Sequence, residues 1–234
     1  MLAAIIVGAA LVIAAAVFGS FYYYAQSSAA KDALSVTGSA KTHVTSDQAK
    51  IVIALAKNVP ADKLSAGYAG MSHDLSLAED LLKTAGIAQA DMAESVVSMN
   101  QVYDQSNNIT GYQLGQTVTV QSDDVGKLTD ISKKVPTLAD QGVVVSVQSL
   151  EYYYSKLPDL RVSLLTQAVE DAKARAEKIA QGTGRSVGSV QAASIGVVQV
   201  MAPNSVDVSD YGSYDTSSIE KDVMVTVKAS FRLK

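Results

Sequence analysis

The chain has 234 residues and a formal net charge of −4, from 19 Lys and Arg against 23 Asp and Glu, with no cysteine. No basic cluster is present to neutralise phosphates, which argues against a nucleic-acid partner. The lack of cysteine excludes disulfides, thiolate zinc sites, thiol nucleophiles and a lipid anchor on a cysteine.

Met1 to Tyr24 carries no charged side chain, and as a helix at ~1.5 Å per residue it would run about 36 Å, enough to cross a bilayer. This predicts a transmembrane anchor over 1–24. Ile5, Ile6, Leu11, Val12, Ile13 and Phe18 belong to its apolar run, and Phe21, Tyr22 and Tyr23 close it as an aromatic belt would. A cleavable signal peptide fits less well, because its apolar region is usually about 7–15 residues behind a basic start. Lys31 is the only basic residue near the span, so charge does not set the orientation. A linker over 25–33 then leads into a domain over 34–234, roughly 200 residues and enough for one α+β core.

Within that domain Leu34, Val36, Gly38 and Ala40 alternate as a strand does, and Ala49 to Leu55 gives a second. Pro60-Ala61-Asp62 opens a helix with Leu64, Tyr68, Met71, Leu75, Ala78 and Leu82 on one face, ended at Gly86. Ser95–Tyr103 and Ile109–Gln121 predict an antiparallel hairpin around Gln105-Ser106-Asn107-Asn108, with Tyr112, Leu114, Val118 and Val120 facing the core. Ser122-Asp123-Asp124 caps a short helix that Pro136 interrupts, and Val143–Tyr154 is a long strand. A third helix runs from Pro158 to about Gln181, with Leu160, Leu164, Ala168, Ala172, Ala176 and Ile179 inward. Ser186–Met201 reads as a strand and Pro203–Ser218 as a long loop. Val223, Val225, Val227, Ala229, Phe231 and Leu233 then alternate as a closing strand. The predicted fold class is α+β: an N-terminal transmembrane helix, then one mixed domain of mainly antiparallel strands with three helices.

Four stretches are similar to a known pattern: Val36-Thr37-Gly38-Ser39-Ala40 with Ser46-Asp47-Gln48-Ala49; Gly86-Ile87 with Asp91; Gly111-Tyr112; and Ala168-Val169-Glu170-Asp171-Ala172 through Ala180, followed by Gly184-Arg185-Ser186-Val187-Gly188. On these the chain resembles the SIMPL domain family of mostly bacterial envelope proteins. Ala40 stands where that family favours a second Gly, and Ser46 where it favours Pro. The resemblance implies an extracytoplasmic domain, periplasmic or at the cell surface, ring-like homo-oligomers, and roles in envelope stress or host interaction. It carries over no catalytic residue.

The chemistry-bearing residues do not gather by spacing. His43 and His73 share no ligand motif. Gly182 to Gly188 resembles a phosphate loop but lies between a helix and a strand, the reverse of the order such loops need. Asp207, Asp210 and Asp215 lack the order of an EF-hand. No catalytic, cofactor-binding or metal-binding residue is therefore assigned. Tyr152, Tyr153 and Tyr154 read first as strand formers and second as a patch at a subunit contact. Long strands at Val143–Tyr154 and at the C-terminus are pairing hazards if they lie at an edge. The expected function is thus a membrane-anchored, non-enzymatic, extracytoplasmic protein whose partners are the lipid bilayer and other copies of itself, in a cyclic homo-oligomer. The alternative is a small-molecule or ion-binding receptor domain with a cleft beside the late loop.

Overall fold

The computed structural model describes residues 14–20, 33–205 and 209–234. Residues 14–20 are helical (α1). There follow β1 (Ala33–Thr45), β2 (Gln48–Pro60), α2 (Leu64–Thr84), β3 (Met92–Glu94), β4 (Ser98–Tyr103), β5 (Ile109–Ser122), α3 (Val125–Lys134), β6 (Val144–Tyr153), α4 (Leu157–Gly182), β7 (Val187–Ile195), β8 (Gln199–Met201), β9 (Ser213–Tyr214) and β10 (Glu220–Leu233).

The expected transmembrane helix is not found. Among the described residues no helix is long and apolar enough to cross a membrane. Phe18 lies in α1, 78% exposed. Ile5, Ile6, Leu11, Val12, Ile13, Phe21, Tyr22 and Tyr23 fall outside the described residues. The fold class is corrected accordingly to mixed α+β with antiparallel sheets and four helices.

The strands form two five-stranded sheets. In one, β10 is central, with the whole of β1 on one side and β7 and β8 on the other; β9 adds in parallel to β8. In the other the order is β3-β5-β2-β6, with β4 beside β3 on the same edge of β5. β1 and β2 are consecutive yet belong to different sheets, so the chain changes sheet at Ser46-Asp47. The closing strand is buried where its alternation predicts, at Val223, Val225, Val227, Ala229 and Phe231. It is paired on both sides, however, and is not an edge.

α4 covers the first sheet through Leu164, Ala168, Ala172, Ala176 and Ala180, a row at steps of four. The predicted inward Ile179 is exposed, and Ala180 takes its place. Small side chains are required because the helix backbone lies against β1: a Cβ on Gly38 would stand 2.1 Å from the Ala168 carbonyl oxygen and 2.4 Å from the Ala172 nitrogen.

α2 and α3 cover the second sheet. α2 buries Gly67, Met71, Asp74, Ala78 and Leu82 and leaves Tyr68 exposed. The face is rotated from the apolar reading because Gly67 approaches Val59, and Asp74 forms an ion pair with Lys57 of β2 at 2.6 Å. Asp124 caps α3 by accepting from the Lys127 N–H at 2.9 Å. The chain then tightens to a 3-10 segment over Val135–Gln141, with Pro136 in its first turn, that ends at Gly142, whose φ of 82° suits a residue without a Cβ.

Gly38→Ala should lower stability by about 3 kcal/mol or more, since a methyl group cannot enter without moving α4. Chemical denaturation checks this, with exposed Thr37→Ser as a near-neutral control.

Candidate functional site: the sheet junction and the strand edges

The two sheets meet where β1 passes into β2, β6 passes into α4, and the late loop returns to β10. Asp47 accepts from the Ser155 N–H at 2.7 Å and from its hydroxyl at 2.6 Å. Burial pushes the Asp47 carboxyl up, but these bonds outweigh it and leave it below its ordinary value.

The three candidate tyrosines lie at this junction. Tyr152 is buried in the core beneath α3, its hydroxyl 2.9 Å from that of Thr129. Half-buried Tyr153 donates to Glu151 at 2.6 Å, and this bond together with burial pushes its phenol up to about 12. Tyr154 packs beside the α4 core, and its N–H donates to the Tyr214 hydroxyl. The hydroxyls of Tyr152 and Tyr153 and the N–H of Tyr154 are thus engaged within the subunit.

The late loop is pinned from beneath by Lys221, a lysine with 0% exposure. Its ammonium donates to the carbonyls of Asp215 at 2.5 Å and Ser218 at 2.6 Å and lies 5.8 Å from the Tyr214 ring centre. Burial holds its pKa below the ordinary lysine value. Burial also raises the Asp215 carboxyl, but hydrogen bonds from Ser217 and Ser218 and the charge of Lys221 overcome this and leave it at about 2. The Ser218 hydroxyl is bonded to Asp215, while the lysine meets only the Ser218 carbonyl, so no serine–lysine nucleophile pair is set up here.

On the outer side of β10, Asp222 accepts from Lys41 at 2.6 Å and from His43 Nδ1 at 3.0 Å, while His43 Nε2 reaches Glu220 at 2.8 Å. Hydrogen bonds from Lys41 and then His43 bring Asp222 to about 2, and the bond to Asp222 raises His43 above its usual value. Each imidazole nitrogen faces a different carboxylate. Among the described residues no group of three or more His, Asp or Glu is arranged to hold a metal. Asp207 lies outside the described residues, and Asp215 is committed to its own turn. A cleft of about 340 Å³ does lie beside the late loop, lined by Val197, Gln199, Ser209, Asp210, Met224 and Thr226. Gln199 already accepts from Ser213 and donates to Ser209 across it.

The strand edges differ in how they are protected. On β1, the Ser39 N–H donates to Asp171 of α4 at 2.8 Å, so a side chain occupies the edge. β6 carries an extra residue at Gln148, where Val52 pairs with Ser149 but Ile53 with Val147, and its Tyr152 N–H is taken by the Thr216 carbonyl. β7 loses register between Ser230 and Phe231 and again before Leu233. β3 and β9 have three and two residues. β4 has none of these devices: its six residues are uncharged and all exposed.

The family described as SIMPL, protein of unknown function (DUF541), matches residues 34–231. The chain belongs to the SIMPL family. Among curated proteins none matches this SIMPL chain. Among solved structures it is similar to a candidate amidohydrolase/peptidase from Burkholderia cenocepacia (17% identity, TM-score 0.28, covering 49% of this chain and 31% of that one). It is also similar to a candidate aminohydrolase from methicillin-resistant Staphylococcus aureus (14%, 0.25, 50% and 30%). A hydantoinase/carbamoylase-family amidase from Burkholderia multivorans gives 15%, 0.27, 50% and 29%. The chain spans about a third of the length of these proteins. Likeness at this level carries no argument about activity.

The residues on which the SIMPL resemblance rests have structural roles in this chain. Gly38 admits α4, Asp171 holds Ser39 and pairs with Arg175 at 2.8 Å, and Asp47 anchors Ser155. Gly111 lies where a Cβ would meet the Val59 carbonyl at 2.5 Å. Sequence reasoning missed Lys221, although its place in the alternation of β10, two residues before Val223, puts it on the core face.

His43→Gln tests the β1–β10 cluster. A raised histidine pKa contributes stability that is fully present below its unfolded value of about 6.5 and is lost as pH rises through the folded value. The gap in melting temperature between wild type and variant should therefore be wider at low than at high pH; a gap constant with pH contradicts it. Lys221→Met strips two buried carbonyls of their donor, at about 1–3 kcal/mol each. Amide exchange in the 213–219 segment should accelerate ahead of exchange in β5.

Proposed function

We propose that this SIMPL protein is a non-enzymatic, extracytoplasmic module that acts by self-association into a ring-like homo-oligomer. The observation that carries the reading is the hairpin of β4 and β5. Val96, Met99, Val102, Tyr103 and Ile109, five large apolar side chains within one short segment, are all exposed. β4 presents unpaired backbone groups beside them without a charge to repel a partner.

The ionisable groups of the junction support the same reading, since Asp47, Asp215, Asp222 and Lys221 spend their hydrogen bonds on neighbouring loops and strands. A catalytic group needs a free lone pair or proton directed at a substrate. The receptor reading rests on the late-loop cleft, whose central Gln199 is bonded to the loop itself.

Sedimentation of the purified chain should give a mass that is a multiple of the 24.5 kDa subunit. Val102→Lys places a charge on the bare edge and should shift the protein to a smaller species at equal concentration, with its melting temperature nearly unchanged. A wild-type chain that sediments as a monomer across the accessible concentration range would refute the reading.

A further inference from the structure

The hairpin edge can be assigned the surface it meets on the next copy. We infer that β4 of one copy pairs antiparallel with β7 of its neighbour, Asn100 opposite Ser194, so that the second sheet of one subunit runs on into the first sheet of the next. This rests on the self-association reading above and adds which two surfaces meet.

The assignment follows from comparing the edges. A contact between two different edges is head-to-tail, and repeated among identical subunits it closes into a ring where its rotation allows. β4 lies at the edge of one sheet and β7 at the edge of the other, each paired with a single strand. Neither Ser98–Tyr103 nor Val187–Ile195 holds a charged residue, so neither brings the like charges that oppose cross-strand pairing. Both leave large apolar side chains exposed: Met99, Val102 and Tyr103 on β4, Val190 and Ile195 on β7. β1 is a longer, unbroken ladder, and away from Ser39 its outer edge is open. It carries Lys41 and His43, however, and its Leu34 and Val44 are already half-buried, so a neighbour there gains a ladder with little apolar surface to cover.

The two strands also match in length and face. The extra residues of β7 fall in its first half, where Phe231 pairs with Val190 but Ser230 with Ala192. From Ala192 to Ile195 the register with β10 is unbroken, and the Gly196 N–H continues it to the Thr226 carbonyl. Ala192–Gly196 is thus a ladder of the same length as the unbroken part of β4, Ser98–Val102. Residues directly opposite each other share a face. Met99 is opposite buried Leu114, and Ile195 is opposite buried Val227, so both lie on the helix-covered side of their sheets. Centring one ladder on the other sets Asn100 against Ser194. The antiparallel direction, the more stable one, also sets Met99 against Ile195, and each covers the other.

The chain has no cysteine, which permits a direct test by mild oxidation of the full-length protein. Asn100→Cys/Ser194→Cys carries one thiol on each edge at exposed positions, and Asn100→Cys/Ala192→Cys allows for a displaced register. One of these double variants should pass mostly into a series of bands at successive multiples of 24.5 kDa on a non-reducing gel, lost on reduction. Asn100→Cys and Ser194→Cys alone should stay at the subunit mass. A doubled band from either single variant indicates a two-fold contact and overturns the inference. So does a series of bands from Asn100→Cys/Thr42→Cys but from neither β7 combination, which would place the neighbour on β1. If nothing links while sedimentation still shows an oligomer, the β4–β7 contact is wrong and self-association stands; if sedimentation shows only monomer, both fall.

Discussion

The approach of α4 to β1 at Gly38 is the constraint on which the first sheet is built. With the Ala168 carbonyl oxygen only 2.1 Å from the position of a Cβ, the helix backbone occupies the space that a side chain would otherwise fill. That closeness demands alanine at each turn of α4, and it brings Asp171 within reach of Ser39 on β1. The contact therefore does two things: it buries a helix on a sheet, and it ends the sheet. An N–H that would template another strand is satisfied by a carboxylate, which Arg175 in turn holds in place. Hydrogen bonds from the Ser39 N–H and then Arg175 keep the Asp171 carboxyl below its ordinary value, so it remains an acceptor.

The second sheet is stabilised by different means and ends differently. Its helix α2 also lies close, at Gly67 and Gly70, but the contact includes the ion pair between partly exposed Lys57 and buried Asp74. Such a pair adds less to stability than apolar contact of equal size, yet it is costly to break and so defines how the helix sits. Nothing comparable reaches the β4 edge, because α2 crosses β2 and β5 and leaves the far hairpin uncovered. The two sheets are then tied together by Ile219, which packs on the core of the second sheet, and by polar anchors at the junction: Asp47 to Ser155, Tyr152 to Thr216, Tyr154 to Tyr214, and Lys221 under the loop.

Alternation and helical spacing revealed most elements, since those patterns report which face is buried. Val223 to Phe231 and the row from Leu164 to Ala176 are buried as their spacing says. The same patterns are silent on which strand neighbours which. The alternation of β10 leaves open whether it is an edge strand, because burial of one face is the same in either place, and it is central. Ser186–Met201 divides at Gly196, where the Thr226 hydroxyl would meet a Cβ at 2.3 Å, a constraint set by a strand 30 residues later. Hydropathy likewise measures whether a segment tolerates lipid, and it points to a span over Met1 to Tyr24, whereas among the described residues no helix is long and apolar enough to cross a membrane. Periodicity is equally silent on buried charge: Asp74 and Lys221 lie in the interior, each with a partner that only the tertiary fold supplies.

This contrast locates where evolution of a new contact would be least constrained. The junction and the β1 edge are occupied by charged groups whose removal leaves buried partners unsatisfied. β4 carries no such group: its side-chain bonds are local ones, such as Ser98 to the Gly115 carbonyl and Tyr103 to Gln101, which a partner strand need not break. A neighbouring strand on this edge would supply both a ladder and cover for the exposed Met99, Val102 and Tyr103, so the least covered part of the subunit is the part with most to gain from the proposed association.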